Sequence, residues 1–329
     1  MSKQRSAAGF SVELKKIAVI GEILVEIMAD TVGNGFLTPI SLTGPYPSGA
    51  PAIFIDQVAR MGQPCAIIST VGDDDFGRVN VARLTIDGVD VSGITIDKER
   101  PTGSAFVRYQ ANGRRDFIFN IHHSACGKVH LNSAAEKILV SADHLHIMGS
   151  SLTSDEFISL NLKAAIGVKK RAGTISFDPN IRKELLGNTK ISEAVEEILS
   201  LTDLYLPSGD EIYNSTSAKN ELAAVSTLLG KGIGAIVHKL GAQGARYYDV
   251  DCSHFVPGFA VEEVDPTGAG DCFGGTFTAL WLRKVEPKTA LRLAAAAGAI
   301  AVTKRGPMEG ASHQKLLEQF VAAQMEPIL

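Results

Sequence analysis

Cysteine is scarce in this chain of 329 residues, and the four present, Cys65, Cys126, Cys252 and Cys272, stand far apart with no paired spacing. That excludes a disulfide framework or a cysteine-rich zinc site and reads as reduced thiols in a cytoplasmic protein. Charge of one sign is also lacking: 32 Lys and Arg oppose 36 Asp and Glu, for a formal net charge of -4. Without a basic field to meet a phosphate backbone, the chain does not read as a nucleic-acid binder. Long apolar runs are missing too. The richest, residues 293–302, falls well short of the roughly 20 residues that cross a bilayer, and residues 1–11 are polar and small, unlike a signal peptide. What is there is an ordinary globular composition, 45% hydrophobic, with length enough to bury a substantial core.

Residues 16–28 begin as a continuous apolar run interrupted by Gly21, the pattern of a buried strand. Residues 33–51 alternate glycine and proline with short apolar pieces, a surface excursion carrying a short strand, until Pro51 opens a helix to about residue 61. A strand at 65–71 leads into Gly72-Asp73-Asp74-Asp75, whose acids suit the start of a helix over 76–86. Residues 91–96, 103–109 and 115–121 read as extended segments joined by turns, the last two through an Asn112-Gly113 hairpin signal. No helix separates them. They are expected to stand apart, with the excursion near 33–45, as a small antiparallel sheet spanning about 91–122.

From residue 131 onward, helices at 131–139, 154–169, 191–199 and 217–230 alternate with strands at 144–148, 173–177, 203–206 and 234–238. Repeated crossovers predict a mostly parallel sheet covered by helices on both faces, in one α/β domain over 12–329. Ligands of such sheets bind beyond the C-terminal strand ends. Three further helices, after Gly268, at 287–302 and at 313–324, close the chain.

The chemistry concentrates in Asp265-Pro266-Thr267-Gly268-Ala269-Gly270-Asp271, followed by Cys272-Phe273-Gly274-Gly275-Thr276-Phe277. Small residues opening a helix leave backbone N–H groups unpaired and aimed outward, a site for an anion. Asp271 stands beside that site. Phosphoryl transfer to a hydroxyl needs this combination, because fixed donors meet charge on the transferring group while a carboxylate orients the hydroxyl and takes its proton. The same residues could instead shape a turn, with Asp271 satisfying first-turn amides.

The run from Asp265 to Phe277 resembles the C-terminal signature of the ribokinase-like carbohydrate kinases, the PfkB family. The likeness extends to the first strand, the first helix and Asp178-Pro179-Asn180-Ile181-Arg182; with Ser48-Gly49-Ala50-Pro51 and Gly306-Pro307-Met308-Glu309-Gly310 it is most similar to bacterial tagatose kinases and neighbouring ketohexose kinases. The resemblance implies a three-layer ribokinase-like fold with a β lid over the sugar. It further implies Asp271 as base, Gly268, Ala269 and Gly270 as anion hole, ATP and Mg²⁺, a possible K⁺ or other monovalent cation, and a homodimer through the lid. Arg182 is implied as a catalytic cation and Asn180 as a sugar contact. Lys239, Gly241, Gly244, Thr267 and Ser208 fall on the nucleotide side, and Glu211 is implied in the magnesium shell, although Ser208 replaces the family's Asn.

The sugar end departs from the family. Glu26 takes the place of the usual Asp, and Ile53, which can neither donate nor accept a hydrogen bond, takes that of the usual Asn. Glu26, Asn34, Gly49 and the lid residues Ser104, Arg108 and Arg115 are the candidates to replace the lost contact. The expected reaction is phosphorylation of a primary hydroxyl on a ketohexose, tagatose ahead of fructose. The alternatives are a 2-keto-3-deoxygluconate kinase, with Arg108 and Arg182 on the carboxylate, and a binding protein that has lost transfer. His144 and His146 alternate along a strand without a third ligand, which argues against zinc.

Overall fold

The computed structural model describes residues 14–33, 35–111, 115–180 and 189–324. In chain order the elements are β1 (Ile17–Ile20), β2 (Leu24–Val32), β3 (Leu42–Ser48), α1 (Ala50–Arg60), β4 (Cys65–Gly72), α2 (Asp75–Asp87), β5 (Ile94–Asp97), β6 (Gly103–Tyr109) and β7 (Arg115–Asn120). They continue with α3 (Ser133–Ser141), β8 (His144–Met148), α4 (Asp155–Lys170), β9 (Thr174–Asp178), α5 (Thr189–Leu201), β10 (Leu204–Tyr205), α6 (Glu221–Gly230) and β11 (Ala235–Lys239). The last are β12 (Ala245–Tyr248), β13 (Ser253–Val256), α7 (Ala269–Leu282), α8 (Pro287–Val302) and α9 (Gln314–Ala323).

A nine-stranded sheet runs β13-β12-β11-β10-β9-β8-β1-β4-β5, parallel from β11 to β5 and antiparallel across β11, β12 and β13. An interior strand, β1, is buried on both sides, as a parallel strand under helices should be. Ile17 and Val19 enter the core cluster that includes residues of α1, α7 and α8, while Ala18 and Ile20 enter the cluster that includes residues of α3, α4 and α5. This alternation makes three layers.

At Gly21 the chain leaves this sheet. A Cβ there would stand 2.3 Å from Ser151 Oγ and 2.4 Å from the Pro51 ring, so only glycine lets the backbone pass. The strand beyond it, β2, belongs to a second sheet ordered β3-β2-β6-β7.

The lid differs from its sequence reading in two respects. It is mixed rather than antiparallel, because β2 pairs parallel with β6. Its excursion strand, expected within residues 33–51, lies at Leu42–Ser48. Residues 91–96, which the sequence places with the lid, supply most of β5, and β5 pairs parallel with Ser69–Gly72 of β4 on the edge of the large sheet. The crossover helix that permits this is α2, upstream of β5, so the lack of a helix downstream decides nothing. The acids before α2 act as a cap: Asp74 accepts from the Gly77 amide at 2.8 Å. The Asn112-Gly113 turn lies outside the described residues.

Candidate active site

Gly268 is the N-cap of α7, with φ of 80°, and a Cβ on it would lie 2.3 Å from the Pro307 carbonyl oxygen. The first intrahelical bond runs from the Cys272 amide to the Gly268 carbonyl at 2.8 Å. The amides of Ala269, Gly270 and Asp271 therefore have no acceptor within the helix. Asp265 fixes the approach. Its carboxylate is fully buried and accepts from the Thr267 amide at 3.1 Å, the Thr267 hydroxyl at 2.7 Å and the Gly306 amide at 3.1 Å. One carboxylate thus pins the turn to the loop after α8.

Asp271 makes no hydrogen bond to the described residues, which removes the reading in which it satisfies first-turn amides. Its carboxyl is half-buried at the head of α7. Burial pushes its pKa up to about 8; Asp178, Glu22 and Glu26 push in the same direction and Lys239 opposes them. A carboxyl held near neutrality is suited to accept a proton late in a transfer.

Lys239 does not project to the rim. It turns inward to Asp178 Oδ2, and both side chains are buried. Burial works against the ammonium charge, but Asp178 and then Glu211 outweigh it and hold the pKa up. The Lys239 Nζ lies 3.7 Å from the place of a Cβ on Gly270, beneath the turn. Any help it gives a phosphate comes from below and through the field.

The other residues expected on the nucleotide side divide. Gly241 is exposed, with nothing within 4 Å of a Cβ position, and offers open backbone. Gly244 is buried with the Val256 carbonyl 2.0 Å from its Cβ position, so its requirement is packing. The Ser208 amide donates to Glu211 Oε2 at 2.7 Å, which fixes the half-exposed Glu211 carboxylate on the strand-end rim. Asp178 Oδ1 is a buried oxygen with no hydrogen-bond partner among the described residues. Oxygen donors of this kind suit Mg²⁺, which binds one or two carboxylates and keeps waters and phosphates for the rest.

Among the residues expected on the sugar side, Glu26 is 6% exposed; Ser48 Oγ donates to its Oε1 at 2.7 Å while Oε2 is buried without a partner among the described residues. Burial pushes its pKa up to about 7; Ser48 and Arg115 oppose this and Asp265 adds to it. Glu22, which sequence reasoning passed over, is buried between the hydroxyls of Ser150 and Ser151, at 2.8 and 2.7 Å. The signal for it was an acid directly after the glycine that ends a fully buried strand. A Cβ on Gly49 would meet the Glu22 carbonyl at 2.4 Å, so Gly49 seats that backbone. Ile53 is 2% exposed and lies against Gly268, an apolar prop beneath the turn.

Of the lid residues, Ser104 is buried on β6, and Arg108 pairs with Asp116 across the β6–β7 ladder at 2.9 Å. Arg115 instead reaches Thr267 on the turn. The Asn180 amide lies 3.6 Å from Met148 Sδ, at a φ of 28°. Asn34 and Arg182 lie outside the described residues. The ring nitrogens of His144 meet Thr174 and Ser176 hydroxyls and His146 Nδ1 meets the Ser176 hydroxyl, while His146 Nε2 is buried without a partner among the described residues.

Residues 14–314 match the profile of the pfkB family carbohydrate kinases. The 2-dehydro-3-deoxygluconokinase of Thermoproteus tenax is 32% identical over 311 residues, covering 93% of this chain and 94% of that one. A putative ribokinase II from E. coli, solved in complex with ATP and Mg²⁺, superposes with a TM-score of 0.90 at 49% identity, covering 94% of this chain and all of that one (100%). A Vibrio cholerae fructokinase double mutant, solved with fructose, ADP and a potassium ion bound, gives a TM-score of 0.81 at 26% identity over 94% of this chain and 98% of that one.

Proposed function

The chain belongs to the pfkB family of carbohydrate kinases, and on that premise we propose that it moves the γ-phosphoryl group of ATP to the terminal primary hydroxyl of a six-carbon 2-keto sugar. The observation that carries the chemistry is the Asp271 carboxyl, without a hydrogen-bond partner among the described residues and raised to about 8, at the head of a helix with unpaired amides. The sugar hydroxyl lies against Asp271 and attacks the γ-phosphorus in line. Its proton passes to Asp271, the bond to the bridging oxygen breaks, and ADP leaves with that oxygen. The amides at Gly268, Ala269 and Gly270 meet the charge on the transferring group, with the Lys239 ammonium below them. Arg182 is assigned to the same charge. Mg²⁺, held through Glu211, supplies neutralisation of the nucleotide phosphates.

For the sugar we place 2-dehydro-3-deoxygluconate first, on the strength of the 32% identical relative from T. tenax. This reverses the sequence reading, which puts tagatose and fructose ahead of it. A neutral ketohexose is the second reading, and a specific observation favours it. Glu22, Glu26, Asp178 and Asp271 supply acids around the cleft, while Lys239, Arg108 and Arg115 are each engaged by protein partners. Carboxyl groups take sugar hydroxyls readily and repel a substrate carboxylate. Glu26 Oε2, Asn180, Asn34 and the backbone at Gly49 are assigned to the sugar, and Thr267, Gly241, Gly244 and Ser208 to the nucleotide side. A monovalent cation beside the turn and a homodimer through the lid, where Leu42, Ile118 and Phe119 are exposed on the edge strands β3 and β7, belong to the same proposal. So does a cytoplasmic location. Among the described residues no helix is long and apolar enough to cross a membrane.

The test is a panel with Mg·ATP and 2-dehydro-3-deoxygluconate, tagatose, fructose, ribose and adenosine, ranked by kcat/KM. The highest value is expected for 2-dehydro-3-deoxygluconate. A ketohexose on top selects the second reading, and binding of sugars without any phosphorylated product supports a non-catalytic binding protein.

A further inference from the structure

We propose that Arg115 is a positioning residue for phosphoryl transfer, joining the lid to the anion-binding turn through Thr267 and Asp265. The proposal rests on the kinase reading above. Arg115 opens β7, and its Nη1 donates to the Thr267 hydroxyl. That hydroxyl in turn donates a hydrogen bond to Asp265 Oδ1 at 2.7 Å, and the guanidinium stands 3.8 Å from the same oxygen. Arg115 Cζ also lies 5.7 Å from the centre of the Phe117 ring, so the side chain is braced by its own strand.

The consequence follows from what Asp265 holds. It is a fully buried carboxylate whose bonds fix the Thr267 and Gly306 amides, and Thr267 immediately precedes the Gly268 N-cap. A buried carboxylate needs a counter-charge, and Arg115 provides one from the lid. When the lid withdraws, Asp265 loses that cation and Thr267 loses its donor, so the turn loses its fixed orientation together with the cover over the sugar. When the lid docks, both are restored at once. Arg115 was a candidate for binding sugar directly; its placement instead makes transfer conditional on lid closure.

The experiment is a double-mutant cycle with Arg115→Met, Thr267→Val and the pair, using Mg·ATP and whichever panel sugar turns over fastest. Each single change is expected to lower kcat between about tenfold and 100-fold, the cost of a small misplacement of reacting groups, with the KM for ATP within about threefold. The double variant should be no worse than the poorer single by more than about threefold, because both remove one link. Arg115→Lys should recover part of the loss. Multiplying effects, or a loss confined to the sugar KM, would overturn the proposal. A measurement independent of turnover is amide hydrogen exchange with the non-hydrolysable analogue AMP-PNP and Mg²⁺ present. Arg115→Met should speed exchange at the Thr267 and Gly306 amides, and unchanged exchange there would overturn the link even in an active enzyme. If the wild type phosphorylates no sugar, the kinase reading fails while the exchange result still decides whether Arg115 holds the turn.

Discussion

Asp271 makes no hydrogen bond to the described residues, and its pKa is pushed up to about 8, chiefly by burial and then by Asp178. An ordinary aspartate ionises near 4. A base works only when deprotonated, so raising its pKa moves the acid limb of the pH profile toward alkaline values. The free-enzyme profile of kcat/KM for the sugar should therefore rise to a limb near pH 8 instead of levelling off near 5; a plateau from pH 5 upward would contradict the assigned environment. The linkage to stability has the opposite sign. A carboxyl with a raised folded-state pKa is protonated more in the native than in the unfolded chain, so stability falls as pH climbs from about 4 to about 8. The identity of this residue was legible in the run Gly268-Ala269-Gly270-Asp271. The inward turn of Lys239 was not, because it depends on Asp178 being carried to the adjoining region by a different strand, and no local pattern records that meeting.

Element by element, the alternation after residue 131 was readable because helices of 9, 16, 13 and 10 residues separate short buried strands. What escaped was partnership. The apolar run at 16–28 divides at Gly21 between two sheets, and β5 joins β4 across α2, choices made by tertiary packing. The antiparallel strands β12 and β13 went unread because each spans only four residues. The start of α7 is the element to which the proposal assigns the anion, and it tolerates no side chain at its cap. Gly268→Ala meets both a φ of 80° and a carbonyl oxygen 2.3 Å away. We expect a loss of more than about 1 kcal/mol in stability, read by urea unfolding. A fall in kcat exceeding that in ATP affinity should accompany it, since the displaced amides act on the transferring group. Wild-type turnover in this variant would show that the turn is not the anion site.

For the molecule as a whole, two sheets meet at one cleft. The large sheet carries Asp178 and the inward-turned Lys239, with Glu211 on the rim after β10, while α7 carries the unpaired amides and Asp271, and the lid carries Glu26 and Arg115. The sequence showed the layers and the late helix, whereas the docking of Arg115 on Thr267 joins positions 152 residues apart and is visible only in the fold. This arrangement has a single chemical purpose if the account is right, and one substitution tests it. Asp271→Asn keeps size and shape but cannot take a proton, so Mg·ATP and sugar should still bind. Single-turnover transfer from ATP, measured with the panel's fastest sugar at pH 8, should fall by roughly two orders of magnitude or more, the scale of general-base loss. Transfer within about threefold of the wild type would contradict the claim that Asp271 is the base.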